Sequence, residues 1–445
     1  MPDEVPKRLP TLQRLVGMFR AAMTELGKNP SDADLESWAV LIHASMSGRG
    51  RSYHTVRHVF EVGGGTDAIG SLAILFHDTV YCEVDGGLPR GLEPYLTDAL
   101  RVDGDHVELG PFDPKRDPLR ALVAQLFGFT PGQPVTLQTG LNELASALLA
   151  VRALRSHLTL AELAQLVACI EATIPFRPPD AEEKLAARLG EADAAHGLGL
   201  GPDGIEAAVE RAVRVANRDI GNFAFEDTGA FLSHTWEILP ETNPTLRMPA
   251  YTLGEYRAAM TKMAGFLGSL EPERVFRRFR GEPDPGELEA LYARGRTNLA
   301  RGTRYLRQKL LSARLLETLA TLTGGDAPVS LFMGDLPGDE STLRLEHLLP
   351  PDVEPAAADV DAEVLRLLAE GRKKESVFDL RNSPLAAYMY AQLGDAESDR
   401  VLAAEDGWPL LEALPPRMVA RIASACARIA PTRARGLAEI VAHLG

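Results

Sequence analysis

Apolar residues recur three and four positions apart along almost the entire chain, and this repeat limits the fold more than any other feature of the sequence. It runs through LESWAVLIHASM, LNELASALLAVRALRSHL, IEAAVERAVRVANRDI and LARGTRYLRQKLLSARLLETLATL. Side chains with that spacing share one face of a helix, so each segment is expected to bury a stripe and to pack on other helices. The predicted class is therefore all-α. Only VDGDHVEL, near residue 106, and VSLFMGDL, near residue 330, alternate in the manner of a strand, and any sheet should be small.

Breaks in the repeat divide the chain. Gly, Pro and Asp gather between residues 84 and 118 and again at 129–135, which reads as a loop insertion over 84–135 within a helical domain. Further breaks fall near 283, near 325 and in LPPDVEPAAADVDAE near 355, the last being the preferred linker. The expected organisation is a helical domain over 1–235, a helical extension over 236–325 and a small, mostly helical C-terminal unit over 326–445.

Composition narrows the function classes. Against 47 basic residues stand 62 acidic ones, a formal charge of −15, which repels nucleic-acid phosphates and disfavours a nonspecific DNA or RNA binder. No apolar run is long enough to cross a bilayer, so no membrane partner is expected. The N-terminal segment has no apolar core followed by a small-residue cleavage site. Three widely spaced cysteines, Cys82, Cys169 and Cys426, fit a reducing compartment better than a disulfide framework, and the expected location is the cytoplasm. Self-association into a homo-oligomer is compatible with all of this.

Three short segments carry candidate chemistry. In RSYHTVRHVFEV, residues 51–62, His54 and His58 are four apart, and on a helix both imidazoles would share a face. The alternative is a pair of satisfied histidines near a helix start. In LAILFHDTVY, residues 72–81, an apolar run leads into His77 and Asp78; burying both is costly unless something such as a divalent cation offsets the cost. The competing reading is a helix end where the pair meets solvent. In RVANRDIGNFAF, residues 214–225, Asp219 lies beside an apolar side defined by Val213, Ala216, Ile220 and Phe223, with Asn222 shortly after. Such an acid can face a site or water.

Together, His58, His77-Asp78 and Asp219 follow the order H…HD…D, and in this the chain resembles the HD superfamily of metal-dependent phosphohydrolases. YHTVRH is similar to the first motif of a group of uncharacterised HD phosphohydrolases and, more distantly, of the cyclic-nucleotide phosphodiesterases; DIGN resembles the segment holding their last metal-binding Asp. The resemblance covers roughly residues 35–235 and implies an HD-type helical domain. It implies His58, His77, Asp78 and Asp219 as ligands of a divalent ion such as Mn, Mg, Fe or Zn. It also implies His54 as the group that protonates the leaving oxygen. The substrate class it implies is a small phosphate ester, a nucleotide or a relative of one. Many relatives hold a second ion with extra histidines, but here only His106, His157 and His196 lie between His77 and Asp219, and none has a partner at ligand spacing. One tightly held ion is expected, with Asp78 bridging at most to a weaker second.

Glu143, in LNELASAL, matches an Asn-Glu of the uncharacterised group and is a candidate to orient the attacking water, the alternative being a surface glutamate. Arg51 and Arg177 are candidate forks for phosphate oxygens, with Asn222 as a further substrate contact. Thr173 lies where phosphodiesterases carry a threonine-containing helix end. Gly63-Gly64-Gly65 lacks the Lys-Ser/Thr of a phosphate loop and is expected to end the His58 helix. RVFRRFRG, residues 274–281, reads as a solvated helix face, with an anion grip as the alternative. The second functional class is a non-catalytic, HD-like nucleotide-binding regulatory or scaffold protein.

Overall fold

A computed structural model describes residues 9–88, 91–103, 106–335, 342–350 and 354–444. The chain start at 1–8, the tip of the strand-like segment at 104–105 and the centre of the linker at 351–353 lie outside the described residues. The protein is all-α, with one antiparallel hairpin among the described residues, and no described helix is long and apolar enough to cross a membrane. The chain forms two compact units, one comprising 1–221 with 271–292 and the other 222–270 with 293–445. Segment 271–292 thus returns to the first unit after the chain has entered the second, an excursion that periodicity along the sequence does not reveal.

The first unit is built on α1 (Thr11–Glu25), α2 (Asp32–Ser45), α3 (Val56–Val62), α4 (Ala68–Phe76), α5 (Pro118–Phe127), α6 (Leu141–Leu154), α7 (Leu160–Ala172), α8 (Ala181–His196) and α9 (Gly201–Asp219). Helix α4 is apolar all round, so it sits in the centre, against α1, α7 and α6. The amphipathic α9 lays its Val209, Ala212, Val213 and Ala216 stripe on α7 and α4. Local chemistry fixes the ends. Thr159 and Glu162 form a reciprocal capping box at the start of α7, and Asp67 caps α4 by accepting from the Gly70 N–H. Gly63 closes α3, as the glycine run leads one to expect.

Two expectations change here. The stretch 84–135 is not a structureless loop: it carries the hairpin β1 (Leu100–Asp103) and β2 (His106–Leu109), short helices and all of α5. Its glycines and prolines punctuate these elements, and Pro118 stands at the start of α5, where its missing N–H costs nothing. The segment VSLFMGDL is also not a strand, because Val329–Met333 forms one helical turn and a half, burying Val329 and Phe332. Five residues of period-two pattern are too few to outweigh tertiary packing.

The second unit contains helices Thr228–Thr242, Leu253–Ser269, most of the 40-residue helix Pro285–Gly324, Pro384–Leu402, Pro416–Ile429 and Ala434–Leu444. At its centre lies a buried knot of charge. The Asp379 carboxylate accepts from Lys309 Nζ at 2.6 Å, Trp236 Nε1 at 2.8 Å and the Tyr256 hydroxyl at 3.0 Å. Arg372 approaches to 3.9 Å while donating to the Tyr305 hydroxyl and the Leu380 carbonyl. Burial alone would raise the Asp379 pKa; Lys309 and Arg372 outweigh it and hold the group ionised.

Candidate metal centre

The apolar character of α4 carries the chain into the core and delivers His77 at its C-cap, 1% exposed. With the helix over, the His77 ring turns back, and its Nδ1 lies 2.8 Å from the Ile74 carbonyl. That carbonyl can only accept, so Nδ1 carries the proton and Nε2 is left as the ligand atom. Helix α3 presents His58 from its first turn, also buried, and α9 ends on Asp219. Nε2 of His58 is 2.9 Å from Asp219 Oδ1, and Nε2 of His77 is 3.2 Å from the same oxygen. Asp78 Oδ2 lies 2.9 Å from His77 Nε2 and 3.7 Å from His58 Nε2.

Four ligand atoms, one from each of His58, His77, Asp78 and Asp219, thus fall within 4.8 Å of one another, and among the described residues they form the one His/Cys/Asp/Glu cluster of this kind. Asp219 therefore faces inward. The donor set suits a divalent ion: two imidazole nitrogens and two carboxylates, half-buried or buried, with two formal negative charges that the surrounding side chains leave in part uncompensated. In the metal-free chain a proton does some of this work. Burial opposes charge on His77, but Asp78 and then Asp219 outweigh it and raise its pKa well above the usual value. The same contacts hold both carboxyls below the ordinary range, against the upward push of burial. An ion entering the cluster would displace that proton. Two buried oxygens beside the cluster, Thr79 Oγ1 and Glu143 Oε2, have no hydrogen-bond partner, which fits a site built for a further polar occupant.

Glu143 stands in the first turn of α6, after Gly140. That glycine adopts φ +95°, and a Cβ there would come within 2.4 Å of Ile174 Cδ1, so only glycine lets the end of α7 close on the start of α6. Burial raises the Glu143 pKa to about 7, and the charges of Asp78 and Asp219 add to the rise. Glu143 is thus no surface glutamate but a carboxyl facing the cluster's negative field. Neighbouring Asn142 accepts from the Cys82 N–H and Ser146 from the Val80 N–H, so α6 also pins the irregular segment that follows His77-Asp78.

His54 is close to the ligands, but not by helical spacing. Helix α3 begins only at Val56, so His54 lies in the turn before it, with its ring 5.9 Å from that of His58 and edge-on to Tyr81 at 4.6 Å. The turn, rather than a shared helix face, brings the imidazoles together.

Arg51 does something other than fork a phosphate. Its guanidinium donates to the Asp78, Thr79 and His54 carbonyls and makes a two-point pair with Asp85, using all five N–H groups inside the protein. It is a positioning residue that fixes the backbone at and just after the candidate ligand Asp78. Neither Asn142 nor Asp85 was legible as a partner, since each meets its target only through the fold.

The remaining candidates divide. Arg177 pairs with the buried Glu171 at 2.5 Å and lines a separate cavity. Asn222 is buried in the short helix Gly221–Ala224, where the second unit begins. The Thr173 hydroxyl donates to the Ile170 carbonyl, an ordinary helix-end contact. His157 faces Asp34 and Trp38, and His196 meets Gln125, so neither contributes a second set of ligands. Comparison with protein-family models, with curated proteins and with solved structures finds no match to the chain.

Proposed function

We propose that the first unit is an HD-type, metal-dependent phosphohydrolase that cleaves a small phosphate ester, a nucleotide or a close relative. The observation that carries this reading is the convergence of His58, the adjacent His77 and Asp78, and Asp219 from three separate places in the chain onto one buried point. When bound there, a divalent cation supplies Lewis-acid activation of water and neutralises charge that accumulates on the phosphoryl oxygens.

The chain's own residues do the rest. His77, fixed through its Nδ1–H to Ile74, and His58 offer Nε2, while Asp78 and Asp219 offer carboxylate oxygens of matched reach. Arg51 keeps the Asp78 backbone from shifting. Glu143, with a pKa near neutrality, is placed to orient a water and accept its proton. His54, at the rim of the cluster, is the group to donate a proton to the leaving oxygen.

The test combines metal analysis of the purified full chain with hydrolysis of a panel of aryl phosphate mono- and diesters. One divalent ion per chain is expected. Asp78→Ala and Asp219→Asn should lose the ion and slow hydrolysis by about 10³-fold, roughly 4 kcal/mol of barrier. Wild-type protein without metal affinity, or activity indifferent to both changes, would sink the proposal. Nucleotide binding without product in the presence of Mn²⁺ would favour the regulatory reading.

A further inference from the structure

A second cluster of charge in the first unit has the opposite sign. Between the end of α7 and the returning segment lies a cavity of about 350 Å³, bordered by four arginines: Arg177, Arg274, Arg277 and Arg278. RVFRRFRG is not the solvated helix face expected from its sequence. Its helical part is a single turn, Pro272–Val275, after which the backbone extends and Arg277 turns inward.

Arg277 is 6% exposed and serves as the floor. It donates to the Ile174 and Arg177 carbonyls, and its own backbone is held on both sides by Asn217. Its counter-charge is incomplete, since Glu182 is 3.7 Å away, and burial together with the Arg177 charge lowers its pKa despite that carboxylate. Arg274 and Arg278 are exposed and have no acidic partner within ion-pair distance among the described residues. On the cavity wall Glu182 faces Arg277, and behind it the buried Glu171 pairs with Arg177, which leaves Arg274 and Arg278 as the guanidiniums without an ion-pair partner among the described residues, in a chain whose formal charge is −15. Phe276 and Tyr292 add aromatic wall.

We propose that this cavity is a binding site for the phosphate groups of a small oligophosphate-bearing molecule, distinct from the metal cluster. The two unpaired guanidiniums of Arg274 and Arg278, on one concave space with the anchored Arg177 and Arg277, match the forked geometry of phosphate oxygens. The volume suits a small ligand, and the aromatic wall suits a planar group attached to the phosphates. A nucleic-acid strand fits less well, because the overall negative charge of the chain would oppose the remainder of its backbone. None of the lining residues is a candidate metal ligand, so the site stands whether or not the cluster is catalytic.

Titration calorimetry of metal-stripped full-length protein with sodium pyrophosphate tests it. One site per chain is expected, with affinity falling as salt is raised. The double variant Arg274→Gln/Arg278→Gln should weaken binding by at least about tenfold, with an unchanged circular dichroism spectrum because both side chains are exposed and unpaired. Asp219→Asn should bind pyrophosphate as the wild type does. No binding at millimolar pyrophosphate, undiminished binding by the double variant, or loss of binding in Asp219→Asn would each overturn the proposal, as would tighter binding of a single-stranded oligonucleotide than of pyrophosphate.

Discussion

In the first unit two carboxylates, Asp78 and Asp219, meet around two imidazoles; in the second a single carboxylate, Asp379, meets Lys309 and Arg372. Both clusters are buried and both rest on residues distant in the chain, yet they treat charge differently. The Asp379 carboxylate is engaged by its own protein: one oxygen accepts from three donors and a second cation lies close by, although the buried Arg372 Nε has no hydrogen-bond partner. Two cations face the one acid, so the acid itself needs no further donor. The cluster of the first unit holds like charges 2.9–3.7 Å from shared imidazole nitrogens, borrows a proton on His77 and leaves Glu143 Oε2 and Thr79 Oγ1 unpartnered. A buried carboxylate whose donors all come from the protein reads as architecture. One completed only by a proton reads as a place for a cation.

The largest effect that separates the two should come from removing one acid from each. Asp379→Asn strands Lys309 and Arg372 in the core and should cost about 3–5 kcal/mol in chemical denaturation. Asp78→Asn in metal-stripped protein removes a partner of the His77 imidazolium, but Asp219 stays beside that ring and His77 can shed its proton, so the loss should be smaller, about 1–2 kcal/mol. Comparable losses from both would erase the distinction.

A smaller effect is expected from the ion itself. Divalent metal at a hundred times its dissociation constant should stabilise the wild type by about 2.7 kcal/mol, through binding to the native state alone. Asp219→Asn should show no such gain, whereas Asp379→Asn should keep it. A thermal shift that survives Asp219→Asn would place the ion elsewhere.

The smallest effect concerns Glu143. Its carboxyl is raised in the folded chain to about 7 from an ordinary value of 4.5, so between these pH values the native state holds a proton that the unfolded state has lost. Stability of metal-stripped protein should accordingly decline as pH rises through that window, by an amount on the order of 1 kcal/mol after solvent screening. Glu143→Gln should flatten the decline, as unfolding midpoints across pH 4.5–7 would reveal. In the metal-loaded protein the cation favours the ionised form, so the proposed hydrolysis should rise with pH and level off at or below about 7. A stability profile identical in wild type and Glu143→Gln would remove Glu143 from the field of the cluster.

Several of these residues were legible in the chain for a physical reason. His77-Asp78 stood out because an apolar run of helix length ends on two ionisable groups, and burial of such a pair requires compensation. Arg51 was legible as important but misread in role. A guanidinium beside a candidate site suggests a phosphate, and only the positions of Asp85 and the 78–79 carbonyls show that its donors are already taken. The arginines of 274–281 were read as a helix face because a local repeat cannot tell that their helix stops after one turn.

Taken by itself, the amino-acid order determined the helical class, the capped starts of α4 and α7, the glycine end of α3 and the kinds of side chain available for metal chemistry. These depend on backbone and side-chain preferences within a few residues. Tertiary structure alone decided that His58 and Asp219, 161 positions apart, lie 2.9 Å from each other, that Glu143 is pressed against the same negative field, and that 271–292 rejoins the first unit. Helical periodicity fixes which face a residue occupies; which faces then meet is settled by how complete helices fill a common core.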